Sequence, residues 1–413
     1  MHITGIVAEY NPFHNGHLYQ IERTKQELGC DFVIVAMSGH FSQRGVAAIT
    51  DKFVRTKMAL LSGVDMVLEL PVPYATASAE RFAQAAISLF NKTGIVNTVS
   101  FGSECGDITL LTYIAHLLES SPSGFDACIK DYLKQGMSFP SAREKAILDY
   151  LALKHLTPDM RESLSKTISS PNNILGIEYI KAIMHYHAPM EPFTLKRLKA
   201  GYHDTRIHAS IASATAIRTN LSQNNTKILT NCMPSSAHHL LSSQLEKKPN
   251  MDLLVPFLQY KLMFTPKETL YSLWDIPKDL IHSFVNHYQD AITYEDFVKI
   301  GTSKTYTSAT VSRALLRLLL GFENTTLQKL SAIEWIPYIR VLGCNKKSTI
   351  LLKHLTQNAH IPVITNIKQA ASSLDEVGKT LMTYELNATK LYHYLSHEPK
   401  LYQQDFTHPF ILQ

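Results

Sequence analysis

The chain has 413 residues, of which 45% are hydrophobic and 18% are charged, and its formal net charge is +5. This length predicts two or three domains, and the composition excludes a disordered polar chain. So small a charge also excludes a protein that coats nucleic acid, although it allows a local basic surface.

The first hundred residues alternate between strand and helix patterns. Strand-like runs lie at Ile3–Tyr10, Asp31–Met37, Met66–Leu70 and Asn97–Phe101, and helix-like segments between them lie at Gly16–Leu28, Lys52–Leu61 and Ala79–Phe90. Strand–helix–strand repetition about every 30 residues predicts parallel strands joined by right-handed crossovers. We therefore expect an α/β fold with a Rossmann-like parallel sheet.

From Asp107 onward the pattern becomes mainly helical. Helix patterns cover Ser141–His155, Asn173–His187, Ala212–Leu221, Met251–Phe264, Ile276–Tyr288, Tyr294–Lys299 and Thr307–Leu320, with strand-like pieces at Pro192–Arg197, Ile336–Leu342 and Pro362–Ile367. The polar stretch Ser222–Lys227 is the best linker candidate. We therefore predict a nucleotide-binding domain over residues 1–225 and a mostly α-helical C-terminal domain over residues 226–413.

The first candidate site is the turn after the first strand, where His14-Asn15-Gly16-His17 has the pattern HxGH. A helix N-terminus offers unpaired N–H groups and partial positive charge, which suit phosphate. Gly16 permits close approach of the backbone, and the two histidines can donate to phosphoryl oxygens. With a strand order of 3-2-1-4, Gly16 and Gly102 would share one ligand crevice. The alternative is that the two histidines are ordinary turn residues.

A second basic cluster comes later in the chain. It comprises Lys196-Arg197, Gly201–Asp204 and Ser213–Arg218. Small hydroxyl residues one turn before an arginine, at the start of a helix, again suit phosphate, and Arg218 would hold the charge of a leaving pyrophosphate. Alone this pattern is ordinary helix capping, so its value lies in combination with the HxGH turn.

Together the two motifs resemble the superfamily of class I aminoacyl-tRNA synthetases and cytidylyltransferase-like nucleotidyltransferases. Longer strings are more specific and resemble the bacterial tRNA(Met) cytidine acetate ligase family: Gly5–His17, Met37–Gly45, Ser170–Gly176, Ala200–Asp204, Tyr306-Thr307 and Arg340–Gly343. One departure is Thr310, where that family has a basic residue before Val311-Ser312-Arg313. This departure bears on an RNA contact and not on the ATP site.

The resemblance implies an enzyme that converts acetate and ATP into acetyl-adenylate and pyrophosphate. The acetyl group then passes to the exocyclic amine of the wobble cytidine of elongator tRNA(Met), giving N(4)-acetylcytidine. Adenylation needs mainly positioning and stabilisation of phosphate charge, which helix N–H groups, histidine and arginine can supply. By the same resemblance, the catalytic residues would be His14, His17 and Arg218.

Residues that would contact ATP follow from matching positions. They are Val7, Ala8, Glu9, Tyr10, Asn11, Pro12, Phe13, His14, Asn15, Gly16, His17, Leu18, Tyr19 and Gln20, together with Gly102, Asn172, Arg197, Ser213, Thr215 and Arg218. For Asn172, which follows Pro171 at a helix start, a role as N-cap is the alternative. Ser42, Gln43 and Arg44 would hold acetate or the incoming cytidine, although a solvated polar loop is the alternative there.

The candidate tRNA surface is the basic window 301–350. Residues 1–225 hold 21 basic and 20 acidic side chains, whereas this window holds seven basic and two acidic ones. Arg313 and Arg317 lie four residues apart on one helix face, and Lys346-Lys347 follow in a later loop; a merely solvated basic face is the alternative. Tyr294, Tyr306 and Trp335 are candidates for stacking on anticodon bases, with core positions as their alternative.

The cysteines, the apolar runs and the carboxylates limit the compartment and the partners that we expect. Five cysteines without a CxxC pair indicate a reducing compartment, with neither a disulfide framework nor a thiolate metal site. No apolar run reaches the roughly 20 residues of a membrane helix, so we expect a cytoplasmic protein without a membrane and with no obligatory protein partner evident. Magnesium is a plausible companion of ATP as substrate, but no carboxylate cluster identifies its ligands.

Two rival functions remain open from the sequence. One is a nucleotidyltransferase acting on a small phosphorylated cofactor precursor, which would share the HxGH site but need no RNA surface. The other is a noncatalytic RNA-binding protein with a relic nucleotide fold. The basic C-terminal half weighs against the first, and the intact His14, Gly16, His17 and Arg218 weigh against the second.

Overall fold

A mixed sheet of eight strands runs through the part of the chain that the structure describes. Its strands are β1 (Ile3–Ala8), β2 (Phe32–Ser38), β3 (Met66–Leu70), β4 (Thr98–Ser103), β5 (Glu191–Lys196), β6 (Ile339–Cys344), β7 (Val363–Ile364) and β8 (Ile411–Leu412). The order across the sheet is β5-β4-β1-β2-β3-β6-β7, and β8 pairs with β6. Strands β1 to β5 pair in parallel. Their order in the sheet confirms the expected 3-2-1-4 arrangement.

This is a computed structural model, and it describes residues 1–137, 139–152, 158–197, 212–223, 225–226, 229–370 and 372–413. The string Ala200–Asp204, which carries part of the family resemblance and includes the Gly201–Asp204 part of the second basic cluster, lies outside the described residues.

Helices account for most of the remaining described chain. They are α1 (Asn15–Leu28), α2 (Lys52–Leu61), α3 (Val72–Ala75), α4 (Ala79–Thr93), α5 (Ile108–Ser120), α6 (Phe125–Lys134), α7 (Phe139–Ala152), α8 (Pro158–Ser169), α9 (Pro171–His185), α10 (Ala214–Ser222), α11 (Leu229–Cys232), α12 (Ser235–Ser242), α13 (Val255–Phe264), α14 (Lys267–Tyr271), α15 (Lys278–His287), α16 (Tyr294–Gly301), α17 (Ser308–Leu320), α18 (Asn324–Ala332), α19 (Thr349–Asn358), α20 (Ile367–Ala370), α21 (Glu376–Leu395) and α22 (Gln404–Thr407). The prediction of a mostly helical C-terminal half is confirmed.

Both faces of the parallel part of the sheet are covered, which explains why β2 is apolar from Phe32 to Met37. Ile34 and Ala36 face the core beneath α4 and α9, whereas Val33, Val35 and Met37 face the core that includes α1 and α2. Alternate side chains of one strand thus enter two different cores. This arrangement places the carboxyl ends of β1 and β4 side by side at one edge of the sheet.

Residues at its two ends determine where helix α2, which follows β2, begins and stops. The Asp51 carboxylate accepts hydrogen bonds from the main-chain N–H groups of Phe53 and Val54, 2.8 and 2.9 Å away. It therefore caps α2 at the residue that the sequence predicts. The helix ends near Gly63, whose φ of +97° suits a residue without a side chain.

The sheet crosses the predicted domain boundary at residue 225. Strand β6 lies antiparallel to β3, so a strand from the C-terminal half extends the N-terminal sheet. A buried ion network joins the two halves at this place: Lys52 and Arg340 each pair with both Glu69 and Asp405, at 2.6 to 2.8 Å. Removing any one of these four side chains would leave a buried charge without its full set of partners, which is strongly destabilising.

Candidate active site

A cavity of about 190 Å³ lies at the carboxyl ends of β1 and β4. Its lining comprises Val7, Ala8, Glu9, Tyr10, Asn11, His14, His17, Gln20, Gln43, Arg44, Phe82, Phe101, Gly102, Asn172, Leu175, Tyr179, Arg197, Ser213, Ala214, Thr215 and Arg218. A smaller cavity of about 50 Å³ adjoins it and adds Gly16 and Tyr19 to the predicted residues in the lining. The structure therefore brings together the HxGH turn, Gly102, Asn172 and the Ser213–Arg218 segment, which are far apart in sequence.

The two histidines of the HxGH turn cap helix α1 reciprocally. His14 Nδ1 accepts from the main-chain N–H of Gly16 at 3.1 Å, and His17 Nδ1 accepts from that of His14 at 3.2 Å. A neutral imidazole whose Nδ1 accepts carries its proton on Nε2. Each ring therefore keeps an Nε2–H donor that the cap does not use.

Both rings are held neutral. Burial, with the nearby charges of Arg197 and Arg218, lowers the pKa of His14 to about 3. Burial, followed by the influence of His14 and Arg197, also lowers the pKa of His17 well below its usual range. The site thus offers neutral hydrogen-bond donors for phosphoryl oxygens, while positive charge comes from the arginines.

Helix α10 points its N-terminus at the cavity. The Ser213 hydroxyl accepts from the main-chain N–H of Ala216 at 3.0 Å, and Ser213, Ala214 and Thr215 all line the cavity. The Arg218 guanidinium donates to the carbonyl of Asn11 at 2.6 Å and to Thr215 Oγ1 at 3.2 Å. This link fixes the second motif against the HxGH turn and places a permanent positive charge beside the histidines.

Asn172 lies in the first turn of α9 and is not its N-cap, since Ser170 holds that position. Its Nδ2 donates to Glu104 Oε1 at 2.7 Å, and its Oδ1 accepts from the Arg197 guanidinium at 3.5 Å. A methyl group on Gly102 would approach Arg197 Cγ to 3.2 Å. Glycine at position 102 therefore gives Arg197 room to lie over the end of β4.

An apolar wall was not predicted from the sequence. Phe82, Phe101, Leu175 and Tyr179 line one side of the cavity. Leu175 and Tyr179 follow Asn172 by three and seven residues, which puts them on the same helix face. That spacing is the signal that could have found them.

Tyr10 has an unusual environment at the end of β1. Its φ of +49° lies in the left-handed region, which is costly for a residue with a large side chain. Its hydroxyl is buried without a hydrogen-bond partner among the described residues, although the residue lines the cavity. A buried donor without a partner is costly in the free protein, and a ligand in the cavity could satisfy it.

Four residues of the predicted ATP run do not line either cavity in the described structure. Phe13 is fully buried and packs behind the site on Tyr10 and His17, with ring centroids 4.8 and 5.5 Å apart. Leu18 packs against the core beneath α1, and Asn15 donates to the carbonyl of Asn231 at 2.9 Å. The remaining one is Pro12, which follows a cis peptide bond. These four positions do not line the described cavities, and their contact with ATP stays a prediction.

Residues 39–47, here called the β2 loop, enter the site from the neighbouring strand. Gln43 and Arg44 line the cavity, and Glu9 Oε1 accepts from the main-chain N–H of Gln43 at 2.7 Å. Ser42 does not line the cavity: it is buried, and its hydroxyl donates to the carbonyl of Val46 at 3.1 Å. Ser42 thus shapes the loop, and its contact with acetate or cytidine stays a prediction.

Arg55 of α2 connects the ends of β1 and β2 and was also missed by the sequence. Its side chain is completely buried, and it donates to the carbonyls of Glu9, Ser38, Gly39 and Thr50. One planar guanidinium therefore sets the HxGH turn and the β2 loop relative to each other.

The residues of the predicted basic surface do not lie on one surface in the structure. Arg317 is 2% exposed; it donates to the carbonyl of Thr76 at 3.0 Å and pairs with Asp275 at 3.0 Å. The prediction that Arg317 contacts RNA phosphates is therefore wrong for this structure, because the side chain faces the protein. Arg340 of the same window is also buried, in the ion network with Glu69 and Asp405.

The other predicted tRNA residues lie in two separate places. Arg313 is half-buried beside the β2 loop and donates to the carbonyl of Gln43 at 3.4 Å, so it lies near the cavity. Lys346 and Lys347 are exposed, but they follow the end of β6 near Asp65, at the start of β3. That edge of the sheet is opposite to the cavity, and six strand residues span about 20 Å.

The aromatic candidates for RNA stacking are not free surface residues. Tyr294 and Trp335 are buried in the core, and the Tyr306 hydroxyl donates to the Asp279 carboxylate at 2.9 Å. Within the described ranges, no three His, Cys, Asp or Glu side chains are grouped closely enough to hold a metal ion. Nor does any described helix combine the length and apolarity that crossing a membrane requires.

The sheet order, the HxGH cap and the arginine-bearing α10 define a nucleotidyltransferase of the HxGH type. Residues 1–407 match the family described as HIGH Nucleotidyl Transferase, and the chain belongs to that family.

Full-length relatives identify the branch of the family. The tRNA(Met) cytidine acetate ligase of Clostridium perfringens strain SM101 is 35% identical over 415 residues, covering 100% of both chains, and that of Clostridium kluyveri strain ATCC 8527 is 37% identical over 416 residues, covering 100% of this chain and 99% of the relative. The chain belongs to the tRNA(Met) cytidine acetate ligase family.

Solved structures agree with that membership. The apo crystal structure of Thermotoga maritima TmcAL (form I) superimposes with a TM-score of 0.93 at 30% identity, and both chains are covered completely. The same protein bound with alpha-thio ATP superimposes with a TM-score of 0.91 at 28% identity, again over both whole chains.

Proposed function

We propose that this protein is an ATP-dependent ligase that acetylates the wobble cytidine of elongator tRNA(Met). The observation that carries the proposal is the convergence of the HxGH turn, the N-terminus of α10 and two arginines on one cavity. Membership of the tRNA(Met) cytidine acetate ligase family supports the same substrates.

In the first step an acetate oxygen attacks the α-phosphorus of ATP, and pyrophosphate leaves with the electrons of the broken P–O bond. Charge builds on the phosphoryl oxygens, where the Nε2–H groups of His14 and His17 donate. Arg218, held by Asn11 and Thr215, stabilises the leaving pyrophosphate. Removal of one such preorganised donor typically costs about 10²- to 10³-fold in rate.

The cavity provides complementary places for the rest of the nucleotide. The apolar wall of Phe101, Leu175 and Tyr179 suits the flat adenine ring. Arg197, oriented by Asn172, supplies charge close to the phosphates. Among the described residues that line the cavity, the carboxylate is that of Glu9. One of its oxygens already accepts a hydrogen bond from the β2 loop. Mg²⁺ would therefore bind mainly through the ATP phosphates and water.

In the second step the exocyclic amine of the cytidine attacks the carbonyl carbon of acetyl-adenylate. AMP leaves, and the amine loses one proton to give the amide. Gln43 and Arg44 of the β2 loop lie at the cavity, where they would hold acetate first and the cytidine afterwards.

The first step can be measured without tRNA. Labelled pyrophosphate should exchange into ATP only when acetate is present, and the exchange should fall about 10²- to 10³-fold in the His17→Gln variant. A nucleotidyltransferase acting on a phosphorylated cofactor precursor would show no acetate dependence, and a noncatalytic RNA-binding protein would show no exchange.

A further inference from the structure

The helix α13 has two apolar faces, and one of them is exposed. Val255, Leu258 and Leu262 are buried, as expected of a helix packed on a core. Phe257, Tyr260 and Phe264 have the same i, i+3, i+7 spacing on another face, and Tyr260 and Phe264 are each 66% exposed. Most of this second face is not covered by the described chain.

The exposed rings form two contacting pairs, one within α13 and one between α13 and the end of helix α21. The ring centroids of Tyr260 and Phe264 are 5.0 Å apart, and those of Phe257 and Tyr394 are also 5.0 Å apart. We call the four residues Phe257, Tyr260, Phe264 and Tyr394 the aromatic patch. Clustered exposed apolar side chains are typical of interaction surfaces.

Two connections join the aromatic patch to the β2 loop. Tyr392, two residues before Tyr394, stacks on His40 with ring centroids 4.4 Å apart. Helix α13 also packs against α17, whose Arg313 donates to the carbonyl of Gln43. The patch is therefore carried by elements that contact the loop lining the candidate active site.

The charges on these segments have one sign. Residues 255–264 contain Lys261 and no acidic residue, and residues 386–395 contain Lys390 and no acidic residue. Lys390 is exposed, and Lys261 is partly exposed. Flat aromatic groups next to isolated cations suit unpaired nucleotides, whose bases stack while their phosphates are attracted by the cations.

We propose that the aromatic patch docks unpaired bases of the tRNA loop that presents the target cytidine, by stacking on Tyr260 and Phe264. This inference rests on the proposed function, because it takes the substrate to be a tRNA. The patch supplies the single-strand recognition that the buried Tyr294 and Trp335 cannot.

The test compares variants that keep or remove the aromatic rings at these exposed positions. The double variant Tyr260→Leu/Phe264→Leu retains apolar bulk, the double variant Tyr260→Phe/Phe264→Tyr retains both rings, and Ile292→Ala alters another exposed apolar residue. Affinity for elongator tRNA(Met) transcript is measured by filter binding over a range of salt concentrations. Acetate-dependent pyrophosphate exchange and mass by light scattering are measured for every variant.

The leucine variant should bind the tRNA about 10-fold more weakly or worse, with an unchanged salt slope, because base stacking is not an ionic contact. The ring-retaining variant and Ile292→Ala should bind as the wild type does, and exchange without tRNA should be equal in all. A Lys261→Ala/Lys390→Ala variant should instead lower the salt slope by up to about two.

Unchanged tRNA affinity in the leucine variant would overturn the inference. A wild-type dimer that this variant converts to a monomer, with tRNA affinity unchanged, would show that a second copy of the chain covers the patch. Failure of the proposed function looks different: the wild type itself would then show no acetate-dependent exchange, whatever the variants bind.

Discussion

The imidazole rings of His14 and His17 stack with their centroids 3.7 Å apart, and each uses Nδ1 to cap the helix that carries them. The capping bonds orient both rings and fix their tautomers, so the Nε2–H groups are preorganised for a ligand. Structure and chemistry are thus coupled in the same two side chains, and suitable substitutions should separate them.

The His17→Gln variant should keep the cap and lose the positioned imidazole donor, because the amide NH2 of glutamine does not take the place of the ring Nε2–H. Glutamine at the third helical position can accept from the main-chain N–H of residue 14, as in an ordinary capping box. Acetate-dependent pyrophosphate exchange should therefore fall about 10²- to 10³-fold while the unfolding free energy changes by less than about 1 kcal/mol. Exchange kinetics and urea denaturation check this, and wild-type exchange in the variant would contradict the assigned role.

The low pKa of His14 predicts a dependence of stability on pH. The unfolded chain protonates this residue near its ordinary pKa of 6.5, whereas the native chain does so only near about 3. Between these values the unfolded state binds more protons, so the unfolding free energy falls on acidification by about 1.4 kcal/mol per pH unit. Above pH 6.5 this contribution is constant.

The His14→Asn variant isolates that contribution, because asparagine can still cap α1. Urea denaturation of both proteins at pH 7.5 and 5 should show a smaller loss of stability in the variant. Equal losses would show that His14 titrates normally in the folded protein.

Arg55 should act as a positioning residue. An Arg55→Lys substitution keeps the charge but cannot reach the carbonyls of Glu9, Ser38 and Gly39 from one planar group. We expect kcat of the exchange reaction to fall by about 10²-fold, as small misplacements of reacting groups do, with tRNA affinity unchanged. Arg23→Lys, in a surface ion pair with Glu27, is the matched control. An unchanged kcat at a temperature where Arg55→Lys is fully folded would refute this role.

Substitution of Arg317 should affect stability, whereas substitution of Lys346 and Lys347 should affect the salt dependence of tRNA binding. An Arg317→Met substitution leaves the Thr76 carbonyl without its donor, so stability should drop by about 3 kcal/mol while the salt slope of tRNA binding is retained. A Lys346→Ala/Lys347→Ala variant should keep its stability and lower the salt slope of tRNA binding by up to about two, because each lysine–phosphate contact contributes about one. A lowered salt slope of tRNA binding for the folded Arg317→Met variant would show that Arg317 contacts RNA phosphates.

The sequence predicted the HxGH turn and α2 closely because both depend on neighbouring residues. Asp51 caps its own helix, and His14 bonds to residues within three positions. The burial of Arg317 and Arg340 could not be predicted in the same way. Their partners Asp275, Glu69 and Asp405 lie 42 to 271 residues away, so a basic side chain in a helix or strand pattern looked like surface.

The same reason explains the strand that joins the two halves. Strand β6 was recognised as a strand, but its antiparallel pairing with β3 depends on contacts across more than 270 residues. The division of labour between residues 1–225 and 226–413 stays a prediction, within a sheet that both segments build.

The most direct measurement incubates the protein with ATP, labelled acetate and elongator tRNA(Met) transcript, followed by nuclease digestion and analysis of nucleosides and adenine nucleotides. We expect labelled N(4)-acetylcytidine, formed in step with AMP and pyrophosphate and reduced about 10²- to 10³-fold when His17→Gln replaces the wild type. Unmodified cytidine with an otherwise active enzyme, or formation of ADP and phosphate in place of AMP and pyrophosphate, would contradict it.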